Sequence, residues 1–357
     1  MKRYMAVALL LVILCTQLTG CGLWMDGEYV SVEPHEQERA ANNRAVNEVS
    51  TYMQMRNALV AWIENGTQSG VLNISRFTSG SVRSCMDTAI RYAMNSNPMG
   101  AYTVSSINYE LGNSNEMEIV SVKIDYRYDR SHILRIQKTD GMESAPQVIE
   151  DALINVSPVV AVRIPQYTEM NFSLWVQNYA ERHSDVIMEV PSVKESVYPQ
   201  QGVERIVELE FTYQTSRDTL KQMQKDVEPV FTAAELYVKN ASQVREKYSQ
   251  LYGFLMERFD YTVETSSITP TYSLLNRGVG DDKAFAKVYA IMCDRAGLEC
   301  YVVSGTKDQQ PWTWNLINFR GIYYHLDLLQ CNENGAFRPQ LVSEMEGYEW
   351  DNSSYPS

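Results

Sequence analysis

The segment Arg277–Gln330 constrains this chain more than any other, because in it an apolar helix is followed by two strands with polar residues at fixed places. Asp281-Asp282-Lys283 opens a run in which Phe285, Val288, Tyr289 and Met292 recur at i, i+3, i+4 and i+7, the period of an amphipathic helix. Aspartate suits the start of such a helix, since its carboxylate accepts from unpaired N–H groups and meets the positive end of the dipole. Cys300-Tyr301-Val302-Val303 then begins an apolar strand. Beyond it come Pro311-Trp312-Thr313-Trp314-Asn315 and Tyr323-Tyr324-His325-Leu326-Asp327. His325 and Asp327, two residues apart, would share one strand face.

These residues resemble the catalytic core of bacterial transglutaminase-like proteins, relatives of the papain-type thiol hydrolases. In that family a Cys opens a buried helix, a His precedes Ala-Trp-Asn on the next strand, and an Asp follows Tyr-His-x on the strand after. Setting Phe285-Ala286-Lys287-Val288-Tyr289 against the family's Tyr-Ala-Lys-Ala-Phe puts Asp282 in the place of the nucleophile. Trp314-Asn315 puts Trp312 in the place of the His, and only Asp327 keeps the family's residue. The resemblance thus implies the fold and a degenerate triad. Thiol acyl transfer needs a thiolate, formed by a neighbouring imidazole and a helix N-terminus. A carboxylate is a poor nucleophile toward amides, and indole has one N–H donor and no basic lone pair.

Two readings of the altered site stay open. Asp282 is a helix cap, or Asp281, Asp282, Trp312, Trp314, His325 and Asp327 line a binding cleft for a cation, a basic group, a peptide or a sugar. An enzyme of altered chemistry, a hydrolase using Asp282 and Asp327 with or without a metal, is the alternative. No metal-ligand spacing is recognised and no cofactor is implied.

The other thiols do not replace the missing one. Cys293 lies about three turns along the same helix from Asp282, roughly 16 Å away, where the helix C-terminus disfavours an anion. Cys293 and Cys300 read either as buried inert thiols or as a disulfide across the helix–strand turn. With Cys85 and Cys331 they fit no disulfide framework.

At the other end, Lys2-Arg3, an apolar run from Met5 to Cys15 and Leu18-Thr19-Gly20-Cys21 read as an export signal, too short to span a membrane comfortably. Its ending resembles the lipobox of bacterial lipoproteins, which implies diacylation of Cys21. The expectation is a protein lipid-anchored on the outer face of the bacterial cytoplasmic membrane, extracytoplasmic and exposed at the cell surface. Loss of Lys2 and Arg3 with the leader takes the formal net charge from −13 to −15. That argues against nucleic acid and anionic polymers as partners and permits cationic ones.

With 45% hydrophobic and 11% aromatic residues, the rest exceeds one ordinary core. The expected division is a leader over 1–20, a spacer over 21–36, an α+β accessory domain over 37–215, the transglutaminase-like α+β domain over 216–330, and a tail over 331–357 with no legible chemistry. The accessory part shows a helix over 38–63, then helix–strand–strand units at 82–95, 102–111 and 118–128, and at 172–183, 186–197 and 203–213. A helix near 146–155 and a strand at 159–164 link them. Tyr128 and Tyr213, 85 residues apart, mark the repeat. Tyr109, Tyr126, Tyr128, Tyr198 and Tyr213 are either glycan-stacking edges or half-buried sheet residues. Helices over 216–240 and 242–261 lead into the core, the second carrying the stripe Val244, Tyr248, Leu251, Tyr252, Leu255 and Phe259. The sequence therefore points to a non-catalytic surface lipoprotein that binds or scaffolds a cell-envelope peptide, glycan or protein.

Overall fold

A cap residue and a two-residue strand set where the first helix begins. In the computed structural model, which describes residues 47–114, 116–263 and 269–355, Asn47–Glu48 form β1 and Tyr52–Glu64 form α1. Thr51 is extended and its hydroxyl accepts from the Gln54 N–H, so the helix starts there and not at Glu38. The leader, Cys21, the spacer and residues 38–46 lie outside the described residues.

The first module continues with β2 (Ser69–Asn73), α2 (Val82–Asn95), α3 (Pro98–Thr103), β3 (Val104–Ser114), β4 (Met117–Tyr126) and α4 (Arg130–Arg135). A second follows: β5 (Gln137–Lys138), α5 (Ala145–Ile154), β6 (Val159–Ile164), α6 (Phe172–Arg182), β7 (Ser192–Tyr198) and β8 (Arg205–Thr212). Their sheets run β1-β2-β4-β3 and β5-β6-β8-β7. In each, the short first strand pairs in parallel and the others antiparallel.

Local chemistry recurs with the topology. Asn65 and Asn155 both close a helix by donating from the side-chain amide to the carbonyl four residues back, at 2.8 Å. The residues after them, Gly66 and Val156, both take positive φ, 62° and 51°. Ser81 and Asn171 cap the second helix of each module. The recurring unit is strand–helix–strand–helix–strand–strand, longer than the helix–strand–strand read from the sequence. The Ile124 N–H donates to Gln68 O as the Phe211 N–H does to Pro158 O. Matching those two bonds makes Tyr126, not Tyr128, the counterpart of Tyr213 in the first module. The strand expected from Val186 begins only at Ser192, because the Val186 and Ile187 N–H groups turn back to His183 O and close α6.

The third part comprises α7 (Arg217–Val238), α8 (Val244–Met256), β9 (Asp260–Tyr261), α9 (Pro270–Arg277), β10 (Val279–Gly280), α10 (Asp282–Arg295), β11 (Cys300–Lys307), β12 (Gln310–Phe319), β13 (Ile322–Leu326), α11 (Leu328–Glu333) and β14 (Tyr348–Trp350). Helix α10 is buried along most of its length, and Phe285, Val288, Tyr289 and Met292 join the core formed with α7, α8 and α9. Each such side chain contributes about 1.5–3 kcal/mol by leaving water. The antiparallel sheet, ordered β13-β12-β11-β14, covers the helix, and Asn315 on β12 donates from its side chain to Ala286 O at 2.8 Å. Cys85, Cys293, Cys300 and Cys331 are free thiols. Among the described residues no helix is long and apolar enough to cross a membrane.

The tail that the sequence reading set apart supplies β14, the fourth strand of this sheet. Gly305 makes room for it: a Cβ there would lie 2.2 Å from Glu349 O and 2.8 Å from the Trp314 ring. Backbone cannot yield cheaply, so Gly305→Ala is expected to lower stability by about 1–3 kcal/mol. Chemical denaturation of the full chain measures this, and an unchanged midpoint would show that β14 does not pack so closely.

Candidate functional site

Four elements bring the expected triad positions together. Asp281 is the N-cap of α10, its Oδ1 accepting from the Ala284 N–H at 2.8 Å. The capping role the sequence offered to Asp282 thus falls to its neighbour. Asp282, the first helical residue, turns its carboxylate to the sheet and accepts from the Thr313 N–H at 2.7 Å. The pairing of β13 with β12 stops at Leu326 opposite Asn315, so no strand residue faces Thr313 on that edge and the carboxylate supplies the acceptor the N–H requires. Burial raises the Asp282 pKa, the Thr313 N–H works against that, and the Asp281 charge adds to the rise.

Asp327 follows β13 and caps α11. Its Oδ1 accepts from the Leu329 N–H at 3.1 Å and the Gln330 N–H at 3.0 Å. Its Oδ2 accepts from Trp312 Nε1 at 2.8 Å, Lys307 Nζ at 3.1 Å and the Tyr348 hydroxyl at 2.7 Å. Five donors thus converge on a carboxylate that is 3% exposed. Burial and then the bond to Asp327 raise the Tyr348 pKa, so the phenol stays protonated and donates. The Lys307 ammonium also lies 5.1 Å from the Trp312 ring centre and 5.3 Å from that of Tyr348, in cation–π range of both. The cation at Asp327 is therefore the chain's own Lys307. Tyr261 stands outside these groups, its ring 6.1 Å from Trp312. Burial, followed by the charges of Asp282, Asp281 and Asp327, raises its pKa.

Trp314 and His325 do not line this site. They are 1% and 2% exposed, and Trp314 Nε1 donates to His325 Nδ1 at 2.9 Å. Tyr348 and Trp350 pack edge-on against Trp314, their ring centres at 5.2 and 5.7 Å. The same-face argument for His325 and Asp327 fails because the strand ends at Leu326 and Asp327 leaves its alternation. A buried indole N–H needs an acceptor, and His325 provides it. Lys307 and Tyr348 were missed from sequence. The register Lys307↔Tyr348 and Gly305↔Trp350 places both side chains, and the alternation Tyr348-Glu349-Trp350 was the available sign of a strand in the tail.

Chemically, position 312 supplies an N–H donor to Asp327, as an imidazole there would, but no lone pair on the side facing position 282. Position 282 supplies an acceptor already bonded to backbone. Among the described residues no three His, Cys, Asp or Glu side chains are grouped to hold a metal ion. Two cavities are lined by other residues, one by Tyr248, Phe319 and Tyr324 and one by Tyr167, Glu195 and Arg205.

The model of the transglutaminase-like superfamily matches residues 231–337. These residues form a transglutaminase-like domain. Solved structures similar to the chain include one described as a TGase, at 9% identity and a TM-score of 0.27, covering 62% of this chain and 65% of its own. A candidate cysteine protease of Cytophaga hutchinsonii gives 9% identity and 0.27 over 44% and 70%. A candidate protease of Parabacteroides distasonis gives 9% and 0.24 over 72% and 39%. The chain thus spans less than two thirds of the first structure's length. No curated protein matches it.

Burial lowers the His325 pKa from 6.5 to about 4. The unfolded chain therefore binds a proton in a window where the native one does not, and stability falls as pH drops from about 6.5 toward 4. His325→Gln keeps an acceptor for Trp314 without titrating, so its stability is expected to decline less between pH 6.5 and 5. Equal slopes for the two proteins in pH-dependent denaturation would show that His325 is not held neutral.

Proposed function

We propose that this chain is a non-catalytic lipoprotein of the bacterial cell surface, anchored through Cys21, which binds or scaffolds a cell-envelope peptide, glycan or protein. The observation that carries the first part is the pair of bonds at the former triad, Trp312 Nε1 to Asp327 Oδ2 at 2.8 Å and the Thr313 N–H to Asp282 Oδ2 at 2.7 Å. Each of the two positions where the family has a nucleophile and a base holds a group that stabilises the fold and supplies neither. Asp327 is engaged by five donors and balanced by Lys307, which does not favour a carboxylate pair working as acid and base.

The signal ending Leu18-Thr19-Gly20-Cys21 supports the anchor, and the two sheet modules beside the transglutaminase-like domain support binding. A negatively charged chain, −13 over its full length, favours neutral or cationic partners.

The test is turnover. The full-length protein is expected to hydrolyse or transfer no amide or ester substrate above background, and Asp282→Asn is expected to change nothing in that assay. Turnover that Asp282→Asn abolishes would overturn the proposal. Asp282→Cys combined with Trp312→His restores the triad's residue types. Alkylation of that thiol faster than of the thiol in Asp282→Cys alone at neutral pH would show that the imidazole lies within reach of position 282.

A further inference from the structure

At the end of β12 opposite Trp312 the sheet and α8 enclose a cavity of about 210 Å³. Its walls are Tyr248, Ile317, Phe319, Tyr324, Phe337 and Pro339. Trp312 and Phe319 are roughly 23 Å apart along the strand, so this pocket shares nothing with the former triad. Tyr248 lends only its ring, because its hydroxyl lies 2.6 Å from Glu299 O and 3.1 Å from Asn318 O. Apolar walls with a few convergent polar groups are what small-ligand sites look like.

Two polar groups at this pocket have no partner among the described residues, the Tyr324 hydroxyl and the exposed guanidinium of Arg245. Two other arginines are engaged, Arg163 with Glu64 and Glu204 and Arg295 with Asp185 and Glu228. An unpaired guanidinium at an aromatic pocket fits a carboxylate, which it binds through two parallel N–H donors.

Backbone is open beside it. β13 is an edge strand. His325 uses its N–H and C=O on the outer side to bond Gln340, and Tyr323, two residues earlier, faces the same way without such a partner among the described residues. Exposed Ile322 and Val244 flank the pocket in sequence, 51% and 46% accessible.

We propose that this pocket captures the C-terminal residue of a partner polypeptide: an aromatic or branched aliphatic side chain fills the cavity, and the terminal carboxylate lies on Arg245 and the Tyr324 hydroxyl. The rest of the peptide runs along the open edge of β13 in extended form. This rests on the binding role proposed above and names the partner's chemistry.

The probe is an N-acetylated Ser/Gly pentapeptide ending in Phe, titrated calorimetrically into the full-length protein in detergent. Its C-terminal amide and free 3-phenylpropanoate serve as comparisons. The free acid is expected to bind at least tenfold more tightly than the amide. Arg245→Gln, a substitution on the surface, is expected to remove that difference, and Tyr324→Phe to weaken the acid about fivefold. The proposal is overturned if acid and amide bind alike, if Arg245→Gln leaves the acid's affinity unchanged, or if no peptide binds at millimolar concentration. It is also overturned if 3-phenylpropanoate binds as tightly as the peptide, which would make this a small-molecule site. Turnover and peptide binding are separate measurements, so either reading can fail while the other stands.

Discussion

One buried carboxylate organises the end of this domain where β14 joins the sheet. Asp327 gathers the backbone of α11, the indole of Trp312, the ammonium of Lys307 and the phenol of Tyr348. A carboxylate this deep needs a counter-charge and full hydrogen bonding, since removal from water costs several kcal/mol per ion. Its donors come from β11, β12, α11 and β14, so the same bonds that satisfy the charge also fix these elements relative to each other. Gly305 belongs to this arrangement, because only a residue without Cβ lets β14 approach closely enough to deliver Tyr348.

On the proposed reading, the indole at position 312 follows the same logic. An imidazole in a triad gives an N–H to the carboxylate and presents a basic nitrogen to the nucleophile. Indole does the first and cannot do the second. Asp282 has turned to the sheet, where it accepts the N–H that the end of β13 leaves open. The Asp327 charge and the Thr313 N–H both find partners within the chain, and on the proposed reading that moves binding to other faces of the molecule.

The hydrophobic period of 285–292 and the Trp-x-Trp-Asn and Tyr-His-x-Asp segments gave the domain away, because buried helices and strands leave periodic traces in sequence. Asp282, Trp312 and Asp327 were legible as one site only through the resemblance to the transglutaminase-like core, with Asp281 beside them at the helix start. Lys307 and Tyr348 were not, since their nearness to Asp327 depends on the pairing of β11 with a strand more than forty residues away in the chain. His325 misled because alternation holds only inside a strand, and the strand stops one residue before Asp327. In the N-terminal part β6 and the second helices were visible individually, whereas β2, only five residues long, was not read. The recurring unit was underestimated because the two-residue strands β1 and β5 carry no periodic signal of their own.

The most direct test of the central claim is hydrogen exchange at the indole N–H of Trp312, read by NMR and assigned with Trp312→Phe. A site locked on Asp327 gives a Trp312 indole proton that exchanges far more slowly than that of a free indole, and Tyr348→Phe speeds it up. Exchange at the free-indole rate, indifferent to Tyr348, would mean that Trp312 is not bound to the carboxylate and that the cleft stands open.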